Sequence, residues 1–223
     1  HISELAPVHP VTLMEVCGTH TMSIARFGIK SMLPKNIDLI SGPGCPVCVT
    51  TNSYVDHAIA LSRMKGAVIC TFGDMMKVPG STSSLARERM NGADVRMVYS
   101  TIDALEIAKQ NPQLEIVFLG VGFETTSPTI AASIDIANRS SLKNYSVLSA
   151  NKVVPPALDA LMSGGPKIDG LILPGHVSTI IGIKGYSYFA SKHSIAMAIA
   201  GFEPIDILGA ICEILQQISL GKE

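Results

Sequence analysis

Eight short apolar runs rich in Val, Ile and Leu recur roughly every 25 to 30 residues, the rhythm of strand–helix units in a parallel sheet covered on both faces. They are Val11 to Val16, Asp38 to Ser41, Ala67 to Phe72, Val95 to Ser100, Glu115 to Gly120, Tyr145 to Ala150, Gly170 to Leu173 and Ile195 to Gly201. Amphipathic segments lie between them. In Asn52 to Met64, for example, Val55, Ala58, Ile59 and Met64 fall on one helical face. Pro155 and Pro156 suit the first turn before Ala157 to Met162, and Thr125, Thr126 or Ser127 is placed to cap a helix through Ile130, Ile134 and Ile136. A closed eight-unit barrel usually needs about 250 residues. This chain has 223, with tight Gly-rich connections.

The pattern therefore predicts an α/β fold of two lobes, each a roughly four-stranded, mainly parallel sheet flanked by helices, with a cleft between them. The expected division is the polar stretch Gln110-Asn111-Pro112-Gln113, giving a first lobe over 1–111 and a second over 112–223. The last helix, through Ile205, Leu208, Cys212, Leu215 and Ile218, must cover an apolar face in either lobe or in a part of the protein outside this chain.

Composition narrows the function classes. The net charge of −1 offers no basic surface for nucleic acid. The longest apolar stretches, such as Ile116 to Phe123 and Ile195 to Phe202, fall short of the roughly 20 residues of a membrane helix, so no membrane role is expected. Five scattered cysteines and no secretory signal pattern point to a reducing, cytoplasmic setting with any disulfide transient. His1 is not a natural initiator, which suggests that the chain begins inside a longer one.

The unusual motifs follow the strand runs, where ligands bind in open α/β sheets. Cys17-Gly18-Thr19-His20 follows the first, Gly42-Pro43-Gly44-Cys45-Pro46-Val47-Cys48 the second, Gly73-Asp74 the third, Gly122-Phe123-Glu124-Thr125-Thr126 the fifth and Pro174-Gly175-His176-Val177-Ser178 the seventh. Cys17, read as exposed at a strand end before a helix, is a candidate thiolate and metal ligand, with His20 as a second ligand or a hydrogen-bonding partner. The alternative is a small buried hydrophobe and a helix cap.

Cys45 and Cys48 have the spacing of a reversible dithiol or half of a zinc site, stiffened by Pro46 and followed by Thr50, Thr51 and Asn52 as caps. Glu124 is either a helix cap or a functional carboxylate, and His176 has room at its loop mouth. Asp74 and Lys77 can hold an anion or each other. Cys70 and Cys212 read as core residues, His57 and His193 as helix or surface residues.

Taken together, Cys17-Gly18-Thr19-His20-Thr21, Gly42 to Cys48, Thr71-Phe72-Gly73-Asp74-Met75-Met76, Gly122 to Thr126 and Pro174 to Ser178 resemble the HypD family of hydrogenase maturation factors. The resemblance implies an assembly scaffold more than a stand-alone enzyme, working with HypC, and with HypE and HypF in cyanide supply. Its cargo would be an iron bearing cyanide and carbon monoxide, destined for the large subunit of a nickel–iron hydrogenase. It implies Cys17 as the iron ligand with His20 beside it, Cys45 and Cys48 as a redox-active dithiol, and Glu124 and His176 as cleft residues.

Family members also carry a [4Fe–4S] cluster in a cysteine-rich region, and no four clustered cysteines occur after Cys48, so a truncated form is expected. Two other classes remain: a thiol-disulfide oxidoreductase needing only Cys45 and Cys48, and a zinc-binding α/β protein using Cys17, Cys45, Cys48 and a histidine.

Overall fold

All eight apolar runs form strands in the computed structural model, which describes residues 1–221: β1 Val11–Glu15, β2 Ile37–Ser41, β3 Ala67–Thr71, β4 Val95–Met97, β5 Glu115–Gly120, β6 Tyr145–Ser149, β7 Gly170–Pro174 and β8 Ala196–Ala200. They build two four-stranded sheets, ordered β2-β1-β7-β8 and β4-β3-β5-β6, and every pairing is parallel. This is the expected α/β class. Counted within its own sheet, each set runs second-first-third-fourth, so the strand order reverses between β1 and β7 in one sheet and between β3 and β5 in the other.

The division of the chain differs from the one expected at residue 111. One unit comprises 1–45 and 153–223, and the other 46–152. The Gln110–Gln113 stretch is an ordinary connection inside the second unit. It joins the helix Thr101–Gln110 to β5, and the buried Asn144 pins it, its amide nitrogen lying 3.0 Å from the Ala108, 3.1 Å from the Asn111 and 3.0 Å from the Leu114 carbonyl oxygen. His176 therefore belongs to the unit that holds Cys17, not to a separate second lobe.

In the first unit, β7 returns to β1 with Leu13 opposite Gly170. A methyl on Gly170 would stand 2.4 Å from Ile214 and 2.9 Å from Leu13, so a side chain there would block the helix from the sheet. That helix, Pro204–Ser219, is the last one, and it covers its own unit's sheet. Ile207, Ile211, Ile214 and Leu215 are fully buried in one cluster with Leu13, Ile172 and Ala196. Each such side chain contributes about 1.5–3 kcal/mol, an upper bound set by an extended unfolded reference. Cys212, expected in the core, is only partly buried.

In the second unit the alternation of β3 and β5 sends Ile69, Val117 and Leu119 to one core and Val68, Cys70, Ile116 and Phe118 to the other. The first core receives Tyr54, Val55, Ala58 and Ile59 from the helix Asn52–Ser62, and the second Ala104 and Ala108 from Thr101–Gln110. Met64 lies past the helix end and is exposed. In the helix Ser127–Arg139 the buried positions are Ile130, Ser133 and Ala137, leaving Ile134 at the surface. Thr51 and Thr126 stand at helix N-caps but make no side-chain capping bond. Among the described residues no helix is long and apolar enough to cross a membrane.

Candidate functional site

Cys17 lies two residues beyond the carboxyl end of β1, at the reversal of strand order in the first unit, and is the N-cap of the helix Gly18–Arg26. It is not the exposed residue expected: only 4% of its surface is open. The Gly42–Cys45 loop lies against it, with the Gly18 N–H donating to the Gly44 carbonyl (3.3 Å) and the Gly42 N–H to the Glu15 carbonyl (2.8 Å). A methyl on Gly44 would stand 2.3 Å from the Cys17 backbone nitrogen. The Cys17 side chain makes no capping bond. Its backbone N–H donates instead to Oε2 of Glu15 (2.9 Å), whose other carboxylate oxygen accepts the Thr21 hydroxyl. Cys45 is half-buried, its Cβ 4.0 Å from the place a methyl on Gly18 would occupy.

His20 is fully buried in the same helix and is no cap. Its Nε2 donates to the Gly201 carbonyl (2.8 Å), since a carbonyl can only accept, which leaves Nδ1 buried without a hydrogen-bond partner. Gly201 and Phe202 follow β8, whereas His176 opens the helix Gly175–Ile181 that follows β7. Phe202 lies against both histidines, with centroids 4.9 Å from the His20 ring and 5.0 Å from the His176 ring. Burial pushes His176 below the ordinary histidine range, and the neighbouring His20 adds to the effect, so its imidazole is neutral near pH 7.

Three strand ends, those of β1, β7 and β8, thus bring Cys17, His20 and His176 into one unit. Cys48 and Glu124 belong to the other unit, the boundary falling between Cys45 and Pro46. Cys48 is exposed in a turn where the Thr50 hydroxyl donates to the Pro46 carbonyl (2.7 Å). Glu124 is buried in the loop after β5. Asp74 and Lys77 are both exposed and form no ion pair with each other. His193, read as a helix or surface residue, is tied to Asp159 (2.6 Å), while His57 is exposed.

Among the described residues no three His, Cys, Asp or Glu side chains converge closely enough to hold a metal ion by themselves.

Residues 1–223 match the family HypD, described as "Hydrogenase formation hypA family". The chain belongs to the HypD family. It is 46% identical to hydrogenase maturation factor HypD of Rhodobacter capsulatus over 214 residues, 96% of this chain and 57% of that protein. Identity to HypD2 of Bradyrhizobium diazoefficiens is 44% over 225 residues, 97% of this chain and 59% of the relative. HypD of Escherichia coli is 41% identical over 218 residues, 97% and 58% of the two chains. The chain thus spans somewhat under two thirds of the length of these HypD proteins. Against solved structures, the ligand-free, open form of CD0873, a substrate binding protein from Clostridium difficile, aligns over 97% of this chain and 86% of its own at 14% identity, with a TM-score of 0.17 that carries no argument.

Three residues of this HypD-family site escaped the sequence motifs. Glu15 had one visible signal, a charge inside an apolar strand run, which a buried strand end tolerates only with hydrogen-bonding partners. Phe202 and Gly201 had none, because their place beside His20 depends on a contact across 181 residues.

Proposed function

We propose that the chain acts in nickel–iron hydrogenase maturation as a scaffold for an iron that carries cyanide and carbon monoxide, with Cys17 supplying its thiolate ligand. One observation carries the reading: Cys17 sits at the reversal of strand order, at a helix N-terminus, with its backbone held by Glu15 and its sulfur not used for capping. An iron bearing cyanide and carbonyl groups is soft and favours thiolate over oxygen donors. A single protein sulfur suffices when the cargo brings its own diatomic ligands and HypC completes the coordination. Such shared holding needs no three-residue cage within the chain, unlike a structural zinc site.

His20 and His176 would line the iron's surroundings. The neutral His176 ring is a hydrogen-bond partner or proton acceptor that adds no charge beside the metal. Cys45 and Cys48 would act as the redox-active dithiol. HypE and HypF would supply cyanide and the hydrogenase large subunit would receive the iron, in the cytoplasm, where thiols stay reduced. Any [4Fe–4S] cluster would be held by residues outside this chain.

The test is an infrared spectrum of the protein purified with HypC, because metal-bound cyanide and carbonyl stretches appear where protein is silent. Cys17→Ser exchanges a soft thiolate for a poorly ionised hydroxyl and should abolish those bands while the protein stays folded. Undiminished bands in Cys17→Ser would overturn the assignment.

A further inference from the structure

We infer that Glu15 is the positioning residue of the Cys17 site, holding the turn that aims the thiol so that the sulfur itself is spared from structural duty. A helix N-cap normally spends its own side chain on a backbone N–H of the first turn, and the third helical residue, commonly Glu or Gln, reaches back to the N-cap N–H. Here both roles are displaced. The N-cap is Cys17, whose side chain makes no capping bond, and the third helical residue is His20, whose Nε2 is committed to the Gly201 carbonyl.

Glu15 takes the second of these roles from the strand side, accepting the N-cap N–H. It is 2% exposed, its Oε2 accepts the Cys17 N–H at 2.9 Å, and its Oε1 accepts the hydroxyl of Thr21, one helical turn on. One buried carboxylate thus ties the end of β1 to the first turn of the helix. No residue in the Cys17 motif does this, and a carboxylate so buried persists only when its oxygens are satisfied.

The inference rests on the proposed function only for what the aimed sulfur is used for; the positioning itself is testable without iron. In the metal-free full-length protein, the rate of iodoacetamide labelling of Cys17 is followed by mass spectrometry, with buried Cys70 as an internal reporter of global unfolding. Glu15→Ala should raise Cys17 labelling about tenfold or more, the scale expected on losing hydrogen bonds to a charged group, while Cys70 stays unlabelled. Glu15→Gln should restore protection, since its amide oxygen can accept the Cys17 N–H and its amide nitrogen can donate to the Thr21 oxygen. If Glu15→Ala does not fold, Thr21→Val removes one of the two ties and should give a smaller rise.

Unchanged Cys17 protection in Glu15→Ala, or in Thr21→Val where that variant is needed, would overturn the inference, as would Glu15→Gln labelling as fast as Glu15→Ala. Infrared spectra of the HypC complex separate the two readings. Absence of cyanide and carbonyl bands in the unaltered protein counts against the iron function alone. Bands of unaltered position and width in Glu15→Ala count against Glu15 alone.

Discussion

Replacing Gly44 by Ala tests the closest backbone approach in the site. The new methyl would stand 2.3 Å from the Cys17 nitrogen and the Val16 carbonyl carbon and 2.5 Å from the Cys17 Cα. All three are backbone atoms, so no rotamer change relieves the clash, and the Gly42–Cys45 loop must retreat by about 1 Å to reach ordinary contact distance. Overpacking of this kind costs about 1–3 kcal/mol. The retreat also stretches the Gly18 N–H bond to the Gly44 carbonyl, already 3.3 Å long, for about 1 kcal/mol more. A total of about 2–4 kcal/mol corresponds, at about 2–4 °C per kcal/mol for a chain of this size, to a fall in Tm of about 5–15 °C. Circular dichroism melting measures the fall, and iodoacetamide labelling of Cys17 at 25 °C should accelerate in parallel. A variant that melts within about 1 °C of the unaltered protein, with Cys17 equally protected, would refute the close approach and the account of Cys17 burial built on it.

Other expectations follow from separate parts of the chain. Gly209→Ala, in the middle of the last helix where a methyl meets nothing within 4 Å, should stabilise by about 0.5–1 kcal/mol, seen as a higher denaturation midpoint. The Arg63 guanidinium, with two 2.8 Å bonds to the buried Glu88, holds that carboxyl at about 2, below its ordinary 4.5. Because the folded value is the lower one, the stabilisation is present above about pH 4.5 and lost as pH falls towards 2. Glu88→Gln should therefore be less stable than the unaltered protein in urea at neutral pH, with the gap narrowing as pH falls from 4.5 towards 2. Burial pushes the Cys70 thiol up to about 12, so mild oxidation should consume two thiols, Cys45 and Cys48, and leave Cys70 to react only after unfolding; mass mapping that finds Cys70 oxidised in the native state would contradict this.

The sequence by itself determined the elements and where the unusual residues fall among them. Strand and helix are local properties: a short continuous apolar run or a period-3.6 pattern over five to ten residues is readable wherever it occurs, and all eight strands were legible as such runs. The placement of Cys17, His20, Cys45, Cys48, Glu124 and His176 beyond strand ends was legible because unusual residue types cluster after the apolar runs. Partnership was not. Nothing local says that β7 should pair with β1, bypassing the five strands between them in the chain, rather than with β6, since parallel neighbours are chosen by which apolar faces meet and how closely. The small residue that lets β7 and the last helix meet, Gly170, looks in sequence like any turn glycine. The polar stretch at Asn111 and Pro112 reads as a boundary for the same reason, although Asn144 fastens it from 33 residues away. Tertiary structure alone therefore decided that His176 shares a unit with Cys17, that Phe202 packs against both histidines, and that the strand carboxylate Glu15, rather than a residue of the motif, holds the turn. Each depends on a contact direction or a long-range return of the chain that no window of sequence encodes.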